Sequence, residues 1–279
     1  MQLLIALLLY PGLLLALALG LLFGLLVQGR PALPRLGGLA GAEGLAGLAS
    51  LLLAGLATAL LPWPLHPAAE WRAVGNLALL WALFEGAYLL PLLPALLDPA
   101  PLVARAAARE AQMGVAGRAV VWLATGVGLW PEAAWTLSTL VGHLLVLTAG
   151  LLAFPAAAGI GPFGPERSLG REGVEAGLDD STAALLRFAR QTRTGALLAA
   201  LLVAALPPAQ PWGTGLGFEL LPSLGLALIA AAFVVAGLAL RQAGAALPRF
   251  TLTGALRWCW TRALPLALVG LIYLSLVRP

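Results

Sequence analysis

This sequence predicts an all-α polytopic membrane protein with about eight transmembrane helices and both termini outside. Three observations carry that prediction. First, 61% of the 279 residues are apolar and only 10% are charged, against about 25% in a soluble domain. That leaves too little polar surface to cover a soluble core. Second, the apolar residues gather into eight runs close to the ~20 residues that a membrane-crossing helix needs. Third, the arginines between the runs fall on alternate sides. Nucleic-acid binding, disorder and disulfide scaffolds are excluded by composition, and the single Cys259 forms neither an internal disulfide nor a cluster. The runs are continuous rather than alternating, which excludes a β-barrel.

In chain order the runs lie near 3–27, 45–61, 76–97, 113–130, 135–155, 187–206, 219–240 and 255–276. Together they make one integral membrane domain over 1–279. The first run mimics a signal peptide at Ala16-Leu17-Ala18. No positive charge precedes it and it is too long, so it reads as an uncleaved helix. Pro62, Pro64 and Pro67 punctuate the outer loop after the second run, and Pro207, Pro208 and Pro211 the one after the sixth. Pro91 and Pro94 fall inside the third run and kink it near its inner end. Residues 102–111, rich in Ala and Arg, read as a short surface helix before the fourth run. Small residues such as Gly195 to Ala200 permit close helix contact.

All 16 basic residues are arginine. This reads first as a coding bias, so no single arginine is by itself an anion clamp. Their placement sets the orientation. With the N-terminus outside, 14 arginines lie on the inner side, leaving Arg72 and Arg278 outside. Trp63, Trp71, Trp130, Trp135 and Trp212 then fall at outer ends, as an interfacial belt does. One inner connection, 156–186, is long and polar, and holds five of the 12 carboxylates: Glu166, Glu172, Glu175, Asp179 and Asp180. Loops longer than about 12–15 residues are usually functional or disordered. It reads either as a solvated loop or as a docking surface at the mouth of a proton path. Arg187, Arg190 and Arg193, spaced by three, share a helical face just after it. They either anchor the helix to lipid phosphates or pair with the acidic loop as one docking pad.

The stretch Gly161-Pro162-Phe163-Gly164-Pro165-Glu166 resembles the Pro-Phe-Asp-x-Pro-Glu loop of one family. That family is the quinone-proximal membrane subunit of respiratory complex I (subunit 1) and its counterpart in membrane-bound NiFe hydrogenases. Tyr10-Pro11-Gly12 is similar to the Tyr-Pro-Gly of the hydrogenase-type members. Gln28-Gly29-Arg30-Pro31 resembles the start of their Gln-x-Arg-x-Gly-Pro loop, and Ala108-Arg109-Glu110 their Ala-x-Arg-Glu segment. Leu256 to Trp260, followed by Leu264-Pro265-Leu266, resembles their C-terminal Trp-to-Pro-Leu ending. The resemblance covers nearly the whole chain. There are also departures: Gly164 stands where the family usually has Asp, and Arg118-Ala119 where members often have Glu-Pro. The resemblance therefore implies a divergent member lacking part of the family's acid set.

Ionisable side chains inside the spans need an account, because a charge at the bilayer centre costs at least ~2.5–3.5 kcal/mol. Arg118 and Arg262 are near enough to the inner surface to snorkel. Glu85 and His143 are deeper, at comparable depth by position along their runs. Glu85 must be protonated, paired or facing water. With His143 it forms a candidate proton path, and Arg118 is placed to stabilise a charged Glu85 if the third and fourth helices adjoin. No HExxH, CxxC, Walker or GxSxG motif is present, so no catalytic residue and no metal site is assigned.

The resemblance implies a membrane-anchoring and proton-conducting subunit of an oxidoreductase complex in a prokaryotic cell membrane. It implies hydrophilic hydrogenase-like or complex I-like redox subunits carrying Fe–S or NiFe centres, and antiporter-like membrane subunits, as partners within the lipid bilayer. No cofactor is expected on this chain, and quinone binding is left open. The alternatives are a structural membrane subunit without proton chemistry and a secondary transporter. The transporter reading would favour broken helices mirrored in both halves. The orientation is directly testable. A cysteine introduced at Gly173 should react with a membrane-impermeant reagent only from the cytoplasmic side, and labelling from outside would overturn the arrangement.

Overall fold

The computed structural model describes residues 2–39, 41–67, 76–129, 136–164, 173–205 and 222–277. Most of these residues are helical, with no strand among them. The helices are α1 (Gln2–Leu8), α2 (Leu13–Gln28), α3 (Ala42–Leu60), α4 (Leu77–Leu89), α5 (Leu93–Leu96) and α6 (Pro101–Gly128). Then follow α7 (Leu137–Ala158), α8 (Asp180–Ala205), α9 (Pro222–Ala246), α10 (Leu252–Trp258) and α11 (Leu264–Val277).

Each of the eight expected runs corresponds to one helical rod, three of them interrupted. The first rod breaks between α1 and α2 at Leu9–Gly12. Pro11 cannot donate to the helix, and a Cβ on Gly12 would collide with the Leu7 carbonyl. The third passes through a 3-10 turn at Leu90–Leu92, where Pro91 and Pro94 fall. The last widens into a π turn at Cys259–Ala263. Among the described residues, six rods are long and apolar enough to cross a membrane, and the chain is a multi-pass membrane protein. The other two, α6 and α8, carry charges along their length.

Several expectations are corrected. Residues 102–111 are not a separate surface helix. They form the first part of α6, one continuous helix of 28 residues. No Gly or Pro interrupts 102–113, and Arg109 and Glu110 find partners on neighbouring elements, so the segment has no need to lie flat at the interface. α8 begins at Asp180 rather than near 187, because Asp179 caps it. The Asp179 carboxylate accepts the backbone N–H groups of Ser181 (2.9 Å) and Thr182 (3.1 Å) and the Ser181 hydroxyl. These hydrogen bonds, the Ser181 hydroxyl first, hold the carboxyl well below the usual carboxylate range. Trp63 follows the end of α3, but its side chain is not exposed. It is buried in the core, its indole N–H donating to the Thr58 carbonyl at 2.9 Å. Trp71, Trp130, Trp135 and Trp212, like Pro207, Pro208 and Pro211, lie outside the described residues.

α8 is the central post. Of its 26 residues, 20 are buried, with α2, α3 and α6 packed around it. Glycines bring α2 and α8 together: a Cβ on Gly20 would stand 2.6 Å from Thr192 Cα, and one on Gly195 2.6 Å from the Leu19 carbonyl oxygen. Backbone cannot retreat as a side chain can. Gly195→Val should therefore lower stability by at least the ~1–3 kcal/mol of overpacking, read as a reduced unfolding temperature in detergent. Gly37→Ala, whose Cβ would meet only Ser181 at 3.5 Å, should leave that temperature unchanged.

Candidate functional site

The charged side chains inside the helices converge on a buried layer between α4, α6 and α8. Glu85 of α4 and Arg118 of α6 form a bidentate pair, Nε to Oε1 and Nη2 to Oε2, both at 2.8 Å. The Trp122 indole N–H, one helical turn along α6, donates to the same carboxylate at 3.3 Å. The remaining arm of Arg118 reaches the Ala157 carbonyl at 3.4 Å. Gly114 makes room for that arm, since a Cβ there would lie 2.6 Å from Nη1. Both side chains are largely enclosed, at 3% and 12% exposed. Arg118 therefore does not snorkel; it is held inside by its carboxylate.

Tyr88 follows Glu85 by three residues, so it lies on a neighbouring part of the same helical face. Its ring lies between two guanidinium groups, 4.4 Å from that of Arg118 and 4.8 Å from that of Arg193. Such cation–π contacts strengthen when desolvated. The Tyr88 hydroxyl donates to Thr194 Oγ1 at 3.4 Å. Arg193, itself buried, donates to the Ala87 carbonyl at 3.2 Å and stands 3.6 Å from Glu110. Its Nε has no acceptor among the described residues. Glu110 receives two hydrogen bonds from Arg190, at 2.8 and 2.9 Å. The result is a continuous series, Glu85–Arg118–Tyr88–Arg193–Glu110–Arg190, that ties three helices together.

Beyond the layer, Arg187 donates to Glu175 at 2.6 Å, and that carboxylate is buried. Of the three arginines in the expected row, Arg187 thus meets the acidic loop, while Arg190 and Arg193 meet Glu110 on α6. In the loop itself, Glu175 turns inward, Asp179 caps α8 and Asp180 is exposed. Glu166, Glu172 and Pro165 lie outside the described residues.

His143 is not brought to Glu85. Arg118 contacts Ala157, and fourteen residues of α7, a rise of about 21 Å, separate Ala157 from His143. His143 is buried beside Ala124, Val127, Val146 and Leu201, in a small cavity between α6, α7 and α8. Depth counted from span starts misleads here because α4 starts deeper than α7: Leu77 packs on Gly126 of α6, next to the Val127 and Gly128 that border His143, and Glu85 lies two turns further along.

The residues of the family-like motifs serve as ties. The Tyr10 hydroxyl donates to the Pro64 carbonyl at 2.5 Å. Pro11 and Gly12 form the break in the first rod. Arg109 donates to the Phe250 carbonyl at 3.0 Å and the Gly164 carbonyl at 3.5 Å. Phe163 packs among Phe250 and Trp258, and the Phe250 N–H donates to the Pro162 carbonyl at 2.9 Å. Arg30 is exposed; its neighbour Gln28 accepts from Gln191 at 2.7 Å. Sequence reasoning missed Tyr88, Trp122 and the sharing of Glu110. The i, i+3 relation of Glu85 to Tyr88 and the i, i+4 relation of Arg118 to Trp122 were the available signals.

No family model and no curated protein sequence matches this chain. Among solved structures it is similar to a chain of the membrane-bound sulfane sulfur reductase, an archaeal respiratory membrane complex. The TM-score is 0.65 at 20% identity, over 98% of this chain and 99% of that chain. The likeness establishes a shared fold along the full length.

A buried ion pair is most sensitive to losing one partner. Arg118→Leu or Glu85→Leu alone should lower stability by about 3–5 kcal/mol. Glu85→Leu/Arg118→Leu together should do less harm than either alone, as read from unfolding temperatures in detergent. A double variant with the summed loss of both singles would show that the pair is not coupled.

Proposed function

We propose that this chain is a membrane subunit of a multi-subunit respiratory oxidoreductase complex, of the kind formed by complex I subunit 1 and its hydrogenase counterparts. The observation that carries the reading is the full-length match to a chain of a respiratory membrane complex, which agrees with motifs spread from Tyr10 to Pro265. In this reading the hydrophilic arm, with its Fe–S or NiFe centres, docks on the arginine-rich side. Antiporter-like subunits adjoin within the membrane. The subunit itself anchors the arm and links its redox state to ion movement.

The polar layer gives this linkage a physical form. Arg187–Glu175 sits at the foot of α8, Arg190–Glu110 one turn higher, and Arg193, Tyr88, Arg118 and Glu85 follow inward. A second reading, a structural subunit without proton chemistry, is favoured by one feature. Glu85 is clamped by both arms of Arg118, whereas a relay acid must exchange partners.

One measurement tests subunit status and a second separates the two readings. Mild-detergent purification should bring down hydrophilic redox subunits, and a monomer with its own substrate-dependent turnover would refute subunit status. In the assembled complex, Glu85→Gln/Arg118→Gln preserves hydrogen bonding and net charge but removes the ions. Loss of ion coupling with electron transfer retained supports conduction through the layer; unchanged coupling supports the structural reading.

A further inference from the structure

The C-terminal rod carries two arginines that the buried layer does not use. Arg257 on α10 and Arg262 in the π turn are exposed, and neither forms an ion pair among the described residues. Both are nevertheless placed by the local structure. The π turn has a wider circuit than an α-helix, closed by the Leu264 N–H on the Cys259 carbonyl. It sets the Arg262 guanidinium over the Trp258 ring at 4.8 Å. That ring is itself fixed, its indole N–H donating to the Leu152 carbonyl of α7 at 3.0 Å and its face packed on Phe250. Arg262 is thus a cation stacked on an anchored platform.

The surface that continues from these arginines is apolar. Along the exposed half of the same rod lie Trp260 (51% exposed), which is three residues after Arg257 and on the flank opposite Arg262, and then Leu268, Val269, Ile272 and Leu276. From Arg262 to Ile272 is ten residues, a rise of about 15 Å, which is half of a hydrocarbon core about 30 Å thick. Among the described residues, the rod therefore presents two arginines without an ion pair, an exposed tryptophan between them in the chain, and then one leaflet's depth of hydrocarbon surface. An acidic loop of a soluble partner would satisfy the cations but leave the hydrocarbon surface uncovered. An apolar partner helix would do the reverse. An anionic phospholipid satisfies both.

We propose that Arg257 and Arg262 bind the phosphate of an anionic phospholipid from the leaflet on the arginine-rich side, its acyl chain lying along the outer face of α11. Each arginine near an anionic headgroup contributes enough for about a fivefold preference, so the pair gives tenfold or more over a zwitterionic lipid.

The test uses the full chain in phosphatidylcholine nanodiscs doped with a small fraction of lipid brominated high in the acyl chain, which quenches nearby tryptophan. Brominated phosphatidylglycerol should quench far more strongly than brominated phosphatidylcholine at the same fraction. Trp260→Phe should remove most of that difference. Arg257→Gln/Arg262→Gln should abolish it with the helical circular dichroism unchanged, and the single Arg262→Gln should reduce it if the double variant fails to fold. Arg105→Gln, which neutralises an exposed arginine on α6, should leave it intact. Equal quenching by the two lipids would overturn the proposal and point to a partner subunit on this stripe. So would a preference that survives loss of both arginines, or one that Arg105→Gln removes equally, since anionic lipid would then gather around the whole arginine-rich side.

Discussion

Charge inside hydrocarbon must be matched inside the protein, and this constraint organises the bundle. Glu85, Arg118 and Arg193 have too little water around them to stand alone. Their solution is to meet one another across three helices, with Tyr88 separating the two guanidinium groups and Glu110 joining Arg193 to Arg190. This explains why α8, among the most polar of the long helices, is also the most enclosed. A helix bearing three arginines gains most from the centre, where neighbours can supply carboxylates, carbonyls and aromatic faces. The lipid-facing work falls to α9 and the C-terminal rod, the least buried of the apolar spans.

Close packing around such a post needs small residues at the crossings. Gly20, Gly24 and Gly195 let α2 lie against α8 at backbone distance, and Gly24 leaves space for Gln191. That glutamine accepts the Ala32 N–H and donates to Gln28, both at 2.7 Å, which fixes the loop after α2 to the same post. On the other side Gly117 approaches the backbone of α7 at Ala157, the residue whose carbonyl receives Arg118. Packing and charge matching are therefore solved by the same residues. A shift of α7 along α6 would both open the glycine contact and withdraw an acceptor from the buried arginine.

The fold was largely legible in the sequence because hydrophobic runs of membrane length are a local signal. Pro91 and Pro94 marked a real interruption, and Glu85 was singled out by the cost of burying it. Its pairing with Arg118 was legible only as a condition, since adjacency of the third and fourth helices is a tertiary fact. The errors share one cause. Residues 102–111 were taken from the helix, and His143 was matched with Glu85, by treating each rod as starting at its membrane boundary. In fact the rods start at different heights, with Leu77 at the start of α4 packing on Gly126 of α6 near the level of His143, so equal distance from a span start is not equal height. The polar start of α8 was hidden in the same way, because Asp179 as a cap extends the helix through a stretch that composition alone assigns to the loop.

The remaining question is why charges should be retained in this core at all, since replacing a buried ion pair by apolar residues of similar volume is often neutral or stabilising. Stability alone does not explain a layer of three enclosed arginine and glutamate side chains. Its geometry offers a better reason. Arg187, Arg190 and Arg193 climb one face of α8 from the acidic loop to mid-core, and each engages a different element: the loop through Glu175, α6 through Glu110, and α4 through the Ala87 carbonyl and the Tyr88 ring. An apolar core would fill this space but would tolerate small slides between helices. Paired ions do not, because a displacement of an ångström or two breaks charge-assisted hydrogen bonds at several places together. Displacing the loop relative to α6 and α4 would therefore strain contacts as far along the layer as Arg118 and Glu85.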